Sequence, residues 1–209
     1  MTPPTANSAP SIILASSSSY RRAQLHKHFG LSPACISPNI DETALPQEPP
    51  KAQALRLSQM KADAVARGLQ SPGLIIAGDQ TAAFEGQLLR KPGDHKTAHS
   101  QLTAMAGKTI TFYSGVCVMN SQSRQTLLEC VETQVRLRSL NSEQIEHYLQ
   151  TDRPYDCVGA FKQECLGIAL FEWVESSDPS ALTGLPLIAL SIMLHRLGFD
   201  VITGSTTHK

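Results

Sequence analysis

Basic side chains follow a serine-rich turn close to the start of the chain. The apolar run 12–15 predicts a short buried strand, and the four serines at 16–19 predict a turn. Tyr20, Arg21 and Arg22 then fall in the first turn of a helix. Because the helix dipole favours cations at the C-terminus, two arginines at an N-terminus indicate a neutralising anion. Free amides beside two guanidinium groups are typical of a phosphate site, although a capped surface helix with solvated arginines gives the same pattern.

Two acidic positions could activate water or hold a cation. Asp79 follows the apolar run 74–77 and a glycine, where a carboxylate costs free energy unless it is paired or functional. Asp41 and Glu42 are adjacent in a polar loop and could bind a hard cation or a substrate hydroxyl. A solvated turn is the alternative explanation for this second pair.

Three lysines and one further acid complete the set of charges. Lys61 lies beside the apolar face of a predicted helix, and Lys91 is held in extended backbone by the proline that follows it. Lys162 shares a glycine-punctuated loop with Glu164. Cations that hold phosphates, acids that bridge a metal and a carboxylate that activates water are together the inventory for hydrolysing a polyphosphate.

The elements that must position these side chains alternate irregularly between helix and strand. Periodicity and caps predict helices over 19–29, 49–68, 95–105, 141–149 and 185–197. They predict strands over 12–15, 34–37, 74–84, 108–119, 125–140 and 168–174, with 108–119 and 125–140 as a long antiparallel pair. The chain has no G-x-G-x-x-G sequence and no Walker A lysine motif, so we expect an α/β or α+β fold with a mixed sheet rather than a Rossmann fold.

Composition limits the classes of protein that remain. A chain of 209 residues makes one large domain or two small lobes around a cleft. Zero net charge argues against a general nucleic-acid coat, and no apolar run approaches the roughly 20 residues that span a bilayer. Residues 1–10 resemble a disordered extension rather than a signal peptide. Five cysteines without C-x-x-C spacing then fit reduced thiols in the cytoplasm.

Six short motifs, in collinear order over roughly residues 11–200, resemble the Maf family of nucleoside triphosphate pyrophosphatases. They are Leu14-Ala15-Ser16-x-Ser18-x-x-Arg21-Arg22, Asp41-Glu42-Thr43, Ala77-Gly78-Asp79-Gln80, Arg90-Lys91-Pro92, Gly107-Lys108 and Gly184-Leu185-Pro186. One departure is Ser19, which stands where the family usually has proline before the arginines.

The resemblance implies an elongated α/β fold: a two-lobed mixed β-sheet with flanking helices and a central cleft. It implies hydrolysis of the anhydride between the α- and β-phosphates of a nucleoside triphosphate, with a divalent cation, Mg²⁺ or Mn²⁺, as cofactor. Asp79 would accept the proton of the attacking water, and Glu42 would hold the metal with it. The phosphate-binding residues would be Ser16, Arg21, Arg22, Lys61 and Lys91.

At three further positions the chain resembles the branch of the family that hydrolyses 7-methyl-GTP. Tyr20, Gln80 and Glu164 stand where the dTTP/UTP branch usually has Arg, Thr and Gln. The 7-methylguanine ring is cationic, so it can stack on the Tyr20 ring, although Tyr20 could instead pack on its lobe. The Glu164 carboxylate can accept both N1–H and N2–H from the guanine edge.

Other readings of the same residues stay open at this point. A dTTP/UTP pyrophosphatase of the same family is one, and a non-catalytic nucleotide-binding regulator of cell division is another. We expect a house-cleaning enzyme of the cytoplasmic nucleotide pool that acts on a small nucleotide, without nucleic-acid or membrane partners. A homodimer is possible by analogy alone. Residues 11–202 would form one domain of two lobes, and residues 203–209 would be a frayed tail.

Overall fold

The computed structural model describes residues 10–206, so residues 1–9 of the predicted disordered extension lie outside the described part. Five α-helices flank the strands: α1 (Ser19–Phe29), α2 (Pro50–Gly68), α3 (His95–Met105), α4 (Ser142–Asp152) and α5 (Leu187–Arg196). The strands are β1 (Ser11–Leu14), β2 (Ala34–Cys35), β3 (Gly73–Phe84), β4 (Gln87–Leu89), β5 (Thr109–Asn120), β6 (Thr126–Leu137), β7 (Phe171–Ser176), β8 (Phe199–Asp200) and β9 (Ser205–Thr206). None of the helices within residues 10–206 is both long and apolar enough to cross a membrane.

One mixed seven-stranded sheet organises the molecule, as the α/β prediction requires. Its order is β2-β1-β3-β5-β6-β7, with β4 paired to the far end of β3. β1 runs parallel to β2 and β3, whereas β3, β5, β6 and β7 form an antiparallel series. The three central strands β3, β5 and β6 each have 12 residues, so they are long enough to pass through two separate cores.

Two hydrophobic cores lie at opposite ends of these central strands and give the predicted two lobes. The first core joins α1 and α5 to β3 and β5 through residues such as Leu74 and Val116. The second core joins α3 and α4 to the same strands through residues such as Ala82 and Phe112. Because the strands are continuous, both lobes share one hydrogen-bonded framework.

Helix α2 packs against the other face of the sheet and carries a lysine into the middle of it. Pro50 occupies the first turn, where a proline is tolerated because its missing N–H would be unpaired anyway. Gly115 permits the close packing, since a Cβ there would lie 2.5 Å from the backbone oxygen of Ala54. Gln53, Leu57 and Lys61 recur every four residues, so they form one stripe that lines the cleft.

The central cleft arises from a gap along one edge of β3. β1 pairs with β3 only as far as Ile76, and β4 pairs with it only from Ala82 onward. In the described part of the chain no strand covers residues 77–81 on this side, while β5 pairs with them on the other. Successive strand residues point to opposite faces, so Asp79 and Gln80 leave the gap in different directions, and both line the cleft.

Several boundaries differ from the sequence prediction by one to three residues, and at two places the kind of structure differs as well. The strand expected over 168–174 starts at Phe171, because residues Leu166–Leu170 form a 3₁₀-helix. The chain turns tightly at the start of this 3₁₀-helix, where a Cβ at Gly167 would lie 2.4 Å from the Lys162 oxygen. The tight turn accounts for the late start of the strand. Within the tail predicted to fray from residue 203, Ser205–Thr206 pair with Phe199–Asp200, and residues 207–209 lie outside the described part.

Candidate active site

A cleft of about 980 Å³ opens at the gap in β3, between the two cores. Every side chain predicted for the site lines it except Arg22, and the group consists of Ser16, Tyr20, Arg21, Glu42, Lys61, Asp79, Gln80, Lys91 and Glu164. These residues come from α1, α2, β3 and four loops, including the turn between β1 and α1. The fold therefore gathers residues that are up to 148 positions apart in the chain, Ser16 and Glu164 being the extremes.

The serine turn between β1 and α1 is organised around Ser16. Its Oγ accepts hydrogen bonds from the Ser18 N–H at 3.1 Å and from Arg21 Nη1 at 3.4 Å. Ser18 is the N-cap of α1 and accepts from the Arg21 N–H at 3.4 Å. Arg21 also donates from Nε to the Gly184 oxygen at 3.2 Å, so its guanidinium is fixed on the cleft wall. Burial lowers the pKa of Arg21, while Asp79 and Glu42 oppose that shift.

Arg22 does not share this cleft. Successive helix residues are rotated by about 100°, so Arg21 and Arg22 cannot both face the same side. The Arg22 side chain is exposed and lines a neighbouring pocket of about 430 Å³ with His26 and Cys35. That pocket shares the four serines of the turn with the cleft, so Arg22 lies on the other side of the serine turn from Arg21, and its phosphate-binding role stays a prediction.

Asp79 is buried in the cleft wall and paired with Lys61. The residue is 8% exposed, and the Lys61 ammonium lies 2.6 Å from its Oδ1. The same ammonium lies 2.9 Å from Oε1 of Glu42, whose side chain is largely exposed. Burial raises the pKa of Asp79, and the charges of Lys61 and then Arg21 oppose this shift. The carboxylate is therefore desolvated, yet it stays next to cations that favour its charged form.

The loop that carries Glu42 is tied to α2 by Arg56. Its guanidinium pairs with both carboxylate oxygens of Glu48, at 2.6 and 2.7 Å, and donates to the Thr43 oxygen at 3.2 Å. Glu48 also accepts from the Leu45 N–H at 3.1 Å. These contacts hold the loop beside the helix that presents Lys61, which accounts for the approach of Glu42 to the ammonium.

Two carboxylates in this arrangement suit a divalent cation that also binds phosphate. Within residues 10–206, no three His, Cys, Asp or Glu side chains form a ready metal cluster. Asp79 and Glu42 nevertheless converge on the single Lys61 ammonium, so their oxygens can reach a common point. Mg²⁺ typically takes one or two carboxylates and completes its shell with water and substrate phosphates. The donor set therefore fits such an ion.

The opposite side of the cleft belongs to the loop after α4. Burial raises the pKa of the Tyr20 hydroxyl, with the Lys162 ammonium opposing, so α1 approaches this loop across the cleft. Lys162 donates to the Asp152 oxygen at 3.1 Å, and its N–H donates to the Tyr148 hydroxyl at 3.0 Å. Lys91 and Glu164 are exposed on the cleft rim, without a salt-bridge partner in the described part of the chain.

Gln80 is fixed by three hydrogen bonds from its amide nitrogen. Nε2 donates to the Ser114 Oγ at 2.9 Å and to the oxygens of Ala181 and Leu182 at 3.1 and 3.2 Å. Two of these partners are carbonyls, which can only accept, so the orientation of the amide is determined. Its Oε1 is consequently the atom left to accept a hydrogen bond from a ligand.

Two buried polar residues that support the site escaped the sequence analysis. Asp178 accepts hydrogen bonds from the N–H groups of Ile188 and Ala189 at 2.7 and 3.3 Å and so caps α5. Gln24 donates to the oxygens of Ser180 and Leu185 at 2.8 Å each and accepts from the Leu185 N–H. Asp178 lies about ten residues before the helix that it caps, well outside the N-cap position, so no local pattern could identify it.

Comparisons with known proteins found a family model and several relatives that match most of this chain. A family model described as Maf-like protein matches residues 11–197. A Burkholderia thailandensis protein named 7-methyl-GTP pyrophosphatase is 45% identical over 94% of this chain and 92% of its own length. Proteins of the same name from Thiobacillus denitrificans and Nitrosococcus oceani are 44% and 43% identical, over 95% and 92% of this chain and 98% and 96% of their own lengths.

Among solved structures, a nucleoside-triphosphatase (dITP/XTP pyrophosphatase) from Mycobacterium abscessus gives a TM-score of 0.38 at 13% identity. The matched region covers 62% of this chain and 75% of the Mycobacterium abscessus chain. This likeness is too slight to add to the description of the fold. The family model spans both lobes and the whole cleft, and the relatives match nearly end to end. This chain belongs to the Maf family.

Proposed function

We propose that this chain hydrolyses 7-methyl-GTP to 7-methyl-GMP and diphosphate. The observation that carries the proposal is the buried Asp79 carboxylate, 2.6 Å from the Lys61 ammonium in a cleft also lined by Arg21 and the serine turn. A desolvated carboxylate among phosphate-binding cations suits attack of water on a polyphosphate. The relatives named 7-methyl-GTP pyrophosphatase, at 43–45% identity over most of the chain, support the same substrate.

The cations of the cleft would bind the triphosphate and offset charge that builds on the leaving diphosphate. Arg21 is already fixed by Ser16 and Gly184, so it can meet a phosphate without reorganising. Lys91 lies on the opposite rim, where the extended backbone before Pro92 directs it. Phosphoryl transfer depends mainly on such positioning and charge stabilisation.

Asp79 would take the proton of the attacking water. Burial raises its pKa above that of an ordinary aspartate, which makes it a better proton acceptor, while the charge and hydrogen bond of Lys61 favour its ionised form. Asp79 and Glu42 would hold a divalent cation, Mg²⁺ or Mn²⁺, which when bound supplies Lewis-acid stabilisation of phosphate oxygens. Lys61 contacts both carboxylates, so its ammonium would lie beside the triphosphate and could also bind a phosphate oxygen.

Base selection would come from the other end of the cleft. The Tyr20 ring can stack on the cationic 7-methylguanine, an attraction of about 0.5–2 kcal/mol. The free Oε1 of Gln80 and the exposed Glu164 carboxylate are acceptors, and guanine offers two donors, N1–H and N2–H. Thymine and uracil offer one N–H donor between two carbonyls, so two acceptors suit guanine better.

The test is release of diphosphate with Mg²⁺, comparing 7-methyl-GTP, GTP, dTTP and UTP at equal concentration. We expect the highest kcat/KM for 7-methyl-GTP. Preference for dTTP or UTP would keep the chemistry and reject the proposed substrate, and no release from any nucleotide would favour a binding protein.

The variant Asp79→Asn tests whether Asp79 accepts the proton of the attacking water. Asp79→Asn should lower kcat by about 10²–10⁴-fold, the usual contribution of a general base, while nucleotide still binds. Asp63→Asn is the matched control, because Asp63 pairs with Arg124 at 3.0 Å and does not line the cleft. Near-normal turnover by Asp79→Asn would remove Asp79 from the proton-accepting role.

A further inference from the structure

The two acceptors proposed for the base come from different parts of the fold. Gln80 lies in β3, in the shared sheet, whereas Glu164 lies in the loop between α4 and the 3₁₀-helix 166–170. Their separation must be fixed if both are to meet one guanine edge. The segment Ala181–Gly184 lies between them and contacts both parts.

The sheet holds one side of the 181–184 segment. Gln80 donates to the oxygens of Ala181 and Leu182, and Ser114 donates to the Ala181 oxygen at 2.9 Å. Ser114 and Ala181 are fully buried. Gly184 continues the contact, because its oxygen accepts from Arg21 at 3.2 Å. The segment is therefore anchored to β3, β5 and α1 at once.

The other side of the segment holds the loop that carries Glu164. Thr183 Oγ1 accepts a hydrogen bond from Gln163 Nε2 at 2.7 Å, and both residues line the cleft. Other anchors of this loop, at Lys162 and Gly167, attach it to α4 and therefore to the second lobe. Within residues 10–206, the Thr183–Gln163 bond is the side-chain hydrogen bond that joins the 162–167 loop to the sheet-anchored segment.

We propose that Thr183 is a positioning residue for base selection, which sets the distance between the Gln80 and Glu164 acceptors through its hydrogen bond to Gln163. The idea rests on the proposed function for its choice of nucleotide. Glu164 is exposed and has no salt-bridge partner of its own in the described chain, so its position depends on the backbone beside Gln163. Thr183 does not touch Asp79 or Lys61, so the chemical step is left intact.

The experiment replaces the Thr183 hydroxyl by a methyl group. Thr183→Val keeps the β-branched shape, and Thr183→Ser should restore the hydrogen bond. The matched control is Thr133→Val, which removes a 2.8 Å hydrogen bond to Ser176 between β6 and β7, away from the cleft lining. Kinetic constants for 7-methyl-GTP, GTP and dTTP and the melting temperature are measured for each variant.

We expect Thr183→Val to raise KM for 7-methyl-GTP roughly three- to tenfold, the effect of one lost neutral hydrogen bond, with kcat within twofold. The preference over dTTP should fall by a similar factor, and Thr183→Ser should recover it. Thr133→Val should leave both KM and the preference unchanged. Unchanged KM in Thr183→Val, or an equal loss of kcat on every nucleotide, would overturn the proposal.

Failure of the proposed function is distinguishable from failure of this inference. A different preferred nucleotide would appear in the wild-type protein, and Thr183→Val must then still lower the preference for that nucleotide. Equilibrium dialysis of 7-methyl-GTP and dTTP against Asp79→Asn, with and without Thr183→Val, tests the same ratio without turnover. Equal binding ratios in the two proteins would reject the role of Thr183 whatever the reaction is.

Discussion

Replacing Lys61 by methionine should strongly destabilise the protein, because it leaves a buried carboxylate without its cation. Lys61 is 5% exposed and Asp79 is 8% exposed, with 2.6 Å between Nζ and Oδ1. Removing one partner of such a buried pair typically costs 3–5 kcal/mol, about the value that we expect for Lys61→Met near pH 8. Urea denaturation followed by circular dichroism measures the free energy of unfolding.

The loss of stability in Lys61→Met should increase as pH rises. In Lys61→Met the pKa of Asp79 rises further, because the charge and the hydrogen bond of Lys61 both lower it in the wild type. The native state then keeps a proton that the unfolded chain releases, so unfolding becomes easier as pH rises between the unfolded and native pKa values. The difference from wild type should therefore be larger at pH 8 than at pH 5.

Two further variants separate this effect from lost packing. Glu42→Gln removes the other acid near the same ammonium, but the Glu42 side chain is 56% exposed, so its loss should cost no more than about 1 kcal/mol. In an Asp79→Asn background the carboxylate charge is absent, and Lys61→Met should cost much less. If Lys61→Met lowered the free energy of unfolding only as much as Glu42→Gln does, Asp79 would not be a desolvated charge held by Lys61. A loss in Lys61→Met that is independent of pH would refute the same account.

Three other outcomes follow from single contacts. Gly115→Ala should lower the free energy of unfolding by about 1–3 kcal/mol, measured by urea titration, because a Cβ there would lie 2.5 Å from a backbone oxygen of α2; unchanged stability would contradict that packing. Tyr20→Leu should reduce the preference for 7-methyl-GTP over GTP by about two- to thirtyfold in steady-state kinetics, and an unaltered ratio would exclude stacking. Iodoacetamide should label the exposed Cys35 and Cys165 of the native protein, whereas the buried Cys117, whose pKa burial raises to about 12, should react only after unfolding, as mass spectrometry can determine.

Local patterns predicted most of the elements in this chain. Several boundaries are marked by residues in the sequence itself: the prolines at the start of α2, the Asp94 cap of α3 and the Glu85–Gly86 turn between β3 and β4. The long antiparallel pair of β5 and β6 is also confirmed, since β5 is largely apolar and polar and apolar residues alternate along most of β6. The 3₁₀-helix at 166–170 was missed because its apolar residues have no period that separates them from a strand.

Charged residues of the site were identified from type and motif, but their partners were not. Nothing local in the sequence indicates that Lys61 pairs with Asp79, 18 positions away, or that Arg56 holds the loop of Glu42. Arg21 and Arg22 are adjacent in the motif but leave the helix in different directions, so the motif does not state which pocket each side chain lines. Long-range partners depend on sheet order and register, which a single sequence does not state.

The continuity of the sheet restricts how this cleft can adapt to a nucleotide. β3, β5 and β6 pass through both cores, so a hinge between the lobes would have to break paired strands in all three. Adjustment is left to rim segments: the loop of Glu42, held by Arg56, and the loop of Glu164, held through Thr183 and Gln163. The carboxylate at Asp79 sits on the rigid framework, while the groups that would choose the base and help hold a metal sit on tethered loops. Substrate preference can therefore change in this fold through residues that tether the rim, without altering the buried charge pair.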